Sequence, residues 1–174
     1  MDRPRSLQPL SFTIDFSTPA AMTTLELKIP PPAVALAIAL LMWLTSILFG
    51  FIPIPLGYRL GAALALLFIG QGISISGIVS FRRAKTTINP FKPDASSALV
   101  TGGIYRFTRN PMYVGLLLTL LGWAAFLASP PALVFLFLYV VYINRFQIDP
   151  EERMLSSLFG ADYAAYKTRV RRWV

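Results

Sequence analysis

Tyr105, Arg109 and Tyr113 recur at four-residue spacing within the stretch 99–113, LVTGGIYRFTRNPMY. Gly102 and Gly103 open it, and Asn110-Pro111 leads into 34 residues, 111–144, that carry no charge. Asn is favoured just ahead of a helix, and Pro at its first position. The dipeptide therefore predicts the start of a membrane helix. The free N–H groups and positive dipole end of that helix would face the preceding loop, where an anionic group binds well. Further on, Glu151 and Glu152 stand together in DPEER. A carboxylate can hold an ammonium or a pair of hydroxyls, and a tyrosine face attracts a sulfonium cation. Methyl transfer needs mainly in-line positioning and exclusion of water when the acceptor is an anion or a free amine. Helix capping alone would equally account for Asn110 and for the Glu pair.

Absences narrow the chemistry. The 174 residues include no His and no Cys. That removes thiol chemistry, the commonest general base and any Cys/His zinc site. The net charge is +8, but its placement along the chain argues for membrane headgroups and topology rather than nucleic acid. Mean hydropathy is +0.60, too apolar for an ordinary soluble domain.

Two motifs carry a resemblance. G-x-Y-x-x-x-R-N-P-M-Y over 103–113 precedes E-E-x-x-L-x-x-x-F-G-x-x-Y-x-x-Y over 151–166. In this order and at this distance they resemble the isoprenylcysteine carboxyl methyltransferase and phospholipid methyltransferase family, membrane-embedded enzymes that use S-adenosylmethionine. The resemblance covers about half the chain, from 86 onward. It implies a cofactor site at Ala98, Leu99, Val100, Thr101, Tyr105, Asn110, Pro111, Met112, Tyr113 and Glu151. Eukaryotic members often carry His where Asn110 stands, so imidazole catalysis is not available here. They also carry a substrate-binding Arg at the position of Gln147, which leaves Arg145 as the nearby cation.

Arg109, Glu152 and Arg145 are the candidate catalytic residues, with Glu152 as proton acceptor should the acceptor be an amine. The implied acceptor is lipophilic, either an isoprenylcysteine carboxylate or a phospholipid amine. Two other functions are kept beside this one. One is an NADPH-dependent membrane reductase, since sterol reductases resemble this fold; the other is a non-enzymatic lipid-binding protein.

The elements that must position these residues follow from hydropathy. Residues 1–28 show no sustained periodicity and are expected to be poorly ordered, with Met22 as a second candidate start. Residues 29–174 form one membrane domain. Uncharged runs place spans at about 33–52, 60–80, 111–128 and 131–146. Gly70, Gly72, Ser74, Ser76 and Gly77 would let the second span approach a neighbour closely, and Gln71 would bond that neighbour. The 81–110 loop lacks a regular pattern and carries Pro90 and Pro93. In the 149–174 tail, Asp149, Pro150 and Glu152 read as a capping box. Met154, Leu155, Leu158 and Phe159 form an apolar stripe, Gly160 suits a helix end, and Tyr163 and Tyr166 read as packing residues.

Four spans put 15 of the 16 Lys and Arg residues on one side, with Arg59 alone on the other. The positive-inside rule then places the loop and both termini in the cytoplasm. The fold expected is an all-α polytopic membrane bundle of about four spans, with an amphipathic C-terminal helix.

Overall fold

The computed structural model describes residues 26–84 and 98–174. Most of the segment expected to be poorly ordered, Met22 included, and the middle of the 81–110 loop lie outside the described residues. Glu26 and Leu27, at the inner edge of that N-terminal segment, are buried.

Prolines set where the first helix starts. Pro31 and Pro32 occupy the opening turn of α1 (Pro31–Phe49), where an N–H has no helical acceptor. Gly50 ends it at φ 78°, a left-handed value that suits glycine. This span is 31–49 rather than 33–52. α2 (Leu56–Arg83) runs 28 residues, beyond the expected 60–80, because no proline interrupts it. Arg59 therefore lies inside a helix. Its guanidinium donates to the Phe126 carbonyl and sits 5.4 Å from the ring centres of Phe51 and Phe126.

After a 3-10 turn (Gly103–Arg106), α3 (Pro111–Leu127) begins at the residue expected. Asn110 precedes it without a side-chain cap; its Nδ2 instead donates to the Arg172 carbonyl at 2.9 Å. A second 3-10 turn (Pro130–Leu133) leads into α4 (Val134–Ile143), a π turn (Asn144–Ile148) and α5 (Asp149–Arg169) with no interruption.

The capping box at Asp149 is therefore not formed. Asp149 has helical φ and ψ of −59° and −45°, and no side-chain cap is present. The reason lies four residues before Pro150. Proline has no N–H for the Phe146 carbonyl, and the Leu27 N–H takes that place at 2.9 Å. The expected break comes later, at Gly160, where φ 46° and ψ −117° kink α5.

Among the described residues, three helices are long and apolar enough to cross a membrane: Pro31–Phe49, Leu56–Arg83 and the continuous Pro130–Arg169. α3, with 17 residues, spans about 26 Å and stands at the short limit for a crossing. The fold is thus the all-α polytopic bundle read from the sequence.

α3 is its centre. Val34, Ile38 and Met42 of α1 pack with Leu120, Ala124 and Leu127 of α3 and with Tyr139 and Ile143 of α4. Against α2, α3 comes within backbone contact. A Cβ on Gly115 would strike the Ser74 hydroxyl and the Gly70 carbonyl, and one on Gly122 would lie 2.9 Å from the Ala63 carbonyl. Gln71 donates to the Thr119 hydroxyl at 3.1 Å across the same seam. Gly70, Ser74 and Gly77 of α2 therefore act as their spacing predicts, whereas Gly72 has nothing within 4 Å of an added Cβ and the Ser76 hydroxyl donates to the Gly72 carbonyl of its own helix.

Candidate active site

Where the ends of α1, α2 and α3 meet the start of α5, they enclose a cavity of about 710 Å³. Its wall is largely apolar. Pro31 and Pro32 of α1, Ile78 of α2 and Leu116 of α3 line one side. Met154, Leu155, Leu158 and Phe159, the predicted stripe of α5, line the other. The stripe therefore faces this cavity.

Its polar end joins residues far apart in the chain. The Tyr113 hydroxyl donates to Glu151 Oε1 at 2.6 Å. Tyr113 is on the first turn of α3 and Glu151 on the first turn of α5, so this bond ties the two helix starts together. Glu151 lies beyond the apolar run of α4 and the π turn. Burial pushes its carboxyl up to about 7; the bond from Tyr113 works against that, and the neighbouring Glu152 adds to it.

Glu152 has a different environment. Arg109 Nη2 meets its Oε1 at 2.8 Å and Arg172 Nη2 its Oε2 at 2.6 Å. Burial alone would raise this carboxyl, but the two guanidiniums outweigh it and hold the group below its ordinary range. A carboxylate so engaged is a poor proton acceptor. Arg109 is equally committed: Nη1 donates to the carbonyls of Val170 at 2.9 Å and Lys167 at 3.2 Å.

Of the ten residues expected to hold a cofactor, eight line the cavity: Ala98, Leu99, Val100, Tyr105, Asn110, Met112, Tyr113 and Glu151. Pro111 is fully buried and packs on α2, with Gly77 leaving room for its ring. Thr101 is half-buried beside the 98–100 lining residues and outside the wall itself. Arg109 and Glu152 also face the cavity.

Arg145 does not. Its guanidinium is half exposed and lies 3.9 Å from Glu26, to which Arg153 binds at 2.6 Å. The π turn sends Arg145 outward, whereas Gln147 is buried on the cavity wall and donates to the Ile29 carbonyl at 2.8 Å.

Tyr163 and Tyr166 pack with Val170 and Leu99, and the Tyr166 hydroxyl donates to the Tyr105 carbonyl at 2.7 Å. The tail thus folds back over the loop. Phe81 meets the Tyr105 ring edge-on at 5.3 Å.

Sequence reasoning missed the contribution of Arg172. Its position in RVRRW reads as one headgroup contact among several, and no periodicity separates it from Arg169 or Arg171. The π turn left no signal in the sequence, where the uncharged run simply ends at Asn144.

Residues 58–162 match the family model described as phospholipid methyltransferase. Among relatives, protein-S-isoprenylcysteine O-methyltransferase A of Arabidopsis thaliana is 30% identical over 110 residues, 62% of this chain and 54% of the relative. The protein-S-isoprenylcysteine O-methyltransferase of Schizosaccharomyces pombe is 31% identical over 109 residues, 63% of this chain and 46% of the relative. An uncharacterized protein of Haemophilus influenzae is 44% identical over 63 residues, 36% of this chain and the whole of that protein. The chain spans about half the length of the two named methyltransferases.

Proposed function

Since this chain belongs to the phospholipid methyltransferase family, we propose that it is an integral membrane methyltransferase that binds S-adenosylmethionine and methylates a lipophilic acceptor. The observation that carries this reading is the cavity itself. One 710 Å³ space joins the Tyr113–Glu151 cluster to a wall built from apolar helix faces.

The residues present suit such a cofactor. Glu151 would hold its ammonium or ribose hydroxyls, and the backbone of 98–100 would meet the adenine edge. The rings of Tyr105 and Tyr113 give a slot that favours a sulfonium. When bound, the cofactor supplies an electrophilic methyl group with a good leaving group.

The chain's own work is positioning and exclusion of water. Leu155, Leu158 and Phe159 exclude water, and the apolar face of α1 and α2 receives the hydrocarbon part of the acceptor from the bilayer. The polar end of the cavity opens toward the cytoplasm, as the charge distribution implies.

Calorimetric titration of the detergent-solubilised protein with S-adenosylhomocysteine, the demethylated product, tests this. Binding by the wild type, weakened at least tenfold in Glu151→Gln, is the expected result. No binding by the wild type would overturn the reading.

A further inference from the structure

Residues 170–173 form a strap between the segment leading into α3 and the start of α5, two parts of the cavity that Arg109–Glu152 and Tyr113–Glu151 also join. On one side the strap holds the segment leading into α3. The Arg171 carbonyl accepts from the Arg109 N–H at 3.0 Å. The Arg172 carbonyl accepts from Asn110 Nδ2 at 2.9 Å and from the Thr108 hydroxyl at 3.4 Å. On the other side the Arg172 guanidinium grips the start of α5. Nη1 meets Asp149 Oδ1 at 2.9 Å, Nη2 meets Glu152 Oε2 at 2.6 Å, and Nε donates to Glu152 Oε1 at 3.2 Å. Trp173 Nε1 donates to Asn144 Oδ1 at 3.0 Å in the π turn just before.

Asp149 and Glu152 are three residues apart and share one helix face. Glu151 is rotated off that face, toward Tyr113. We infer that Arg172 is a positioning residue: by holding 108–110 through its backbone and α5 through its guanidinium, it sets the approach of Glu151 to Tyr113. A guanidinium suits this because its planar fork presents five donors in fixed directions and so engages both carboxylates in a set geometry. Without it Glu152 keeps Arg109 alone and Asp149 loses its partner among the described residues. The first turn of α5 then moves away from α3, and water reaches Glu151.

The groups facing Glu151 are Tyr113 from α3, Tyr105 from the 3-10 turn and Glu152 from its own helix. Release of the strap therefore removes burial, the largest influence on this carboxyl, and returns it toward the ordinary range.

The chain has three glutamates, Glu26, Glu151 and Glu152, so carboxyl-labelled [13C]glutamate gives a spectrum that single Gln substitutions assign. The full chain, without ligand, is titrated in micelles as wild type, Arg172→Gln and Arg172→Lys. The expected result is a Glu151 midpoint near 7 in the wild type, lower by more than one pH unit in Arg172→Gln and intermediate in Arg172→Lys. Should Arg172→Gln fail to fold, Arg172→Lys decides. An unmoved midpoint, or a wild type already titrating in the ordinary carboxylate range, would overturn the inference.

A second arm rests on the proposed methyl-donor reading. S-adenosylhomocysteine affinity is expected to fall at least tenfold in Arg172→Gln, and equal affinity in both proteins would overturn a role in binding. Absence of binding by the wild type would sink the methyl-donor reading, and the carboxyl titration would still decide the role of Arg172.

Discussion

The hydroxyl of Tyr113 donates a 2.6 Å hydrogen bond to Glu151 Oε1, closing a gap of 38 residues between the starts of α3 and α5. Both partners are largely shielded from water, so the bond joins the third span to the tail where solvent competes little.

Removing the donor leaves a buried carboxyl without its partner. Tyr113→Phe is expected to destabilise the protein by about 1–3 kcal/mol and to weaken S-adenosylhomocysteine binding at least tenfold. Calorimetry and reversible unfolding in mixed micelles measure the two effects on one preparation.

Glu151 also makes stability depend on pH in a direction opposite to most acids. Between its ordinary value of 4.5 and about 7, the folded protein keeps a proton that the unfolded chain has lost. Stability from this group is therefore greatest in acid and falls as pH rises to about 7, by on the order of 3 kcal/mol. Glu151→Gln is expected to flatten that fall and to exceed the wild type in stability at pH 8. Unfolding midpoints at pH 5 and pH 8 for both proteins give the comparison.

The α2–α3 seam admits no added methyl at Gly115, whose neighbours are the Ser74 hydroxyl and the Gly70 carbonyl. Gly115→Ala should cost about 1–3 kcal/mol through overpacking. Gly72 has nothing within 4 Å of a Cβ at that position, so Gly72→Ala serves as the neutral control. Equal unfolding midpoints for the two variants would contradict the close approach of these helices.

Arg145 points to Glu26 and away from the cavity. Arg145→Ala should leave S-adenosylhomocysteine affinity within about twofold of wild type, since an exposed ion pair contributes little. A tenfold loss would return Arg145 to the site.

Much of this architecture was legible in the order of residues. Long uncharged runs require helices, because backbone groups in hydrocarbon must bond within their own segment. Asn110-Pro111 marked the start of α3, Gly160 the kink in the tail, and Gly70 and Gly77 of α2 the close approach. Spacing around Tyr105, Arg109 and Tyr113, together with the Glu pair, pointed to residues that do line one cavity. The capping box at Asp149 failed because its logic is local. Leu27, distant in the chain, supplies the hydrogen bond that Pro150 lacks, and the helix runs on. The same continuity through the π turn sends Arg145 outward and Gln147 inward, a rotation that no local pattern records.

Hydropathy and residue type determined the bundle, the apolar spans and the set of polar residues able to do chemistry. Those properties belong to each segment separately, through the cost of leaving backbone or charge in hydrocarbon. Tertiary structure alone decided the division of labour between two adjacent glutamates. Glu151 turns into a buried pocket against a tyrosine, while Glu152 turns toward Arg109 and Arg172. Neighbours in sequence point some 100° apart on a helix, and what each meets there depends on chain that lies far away.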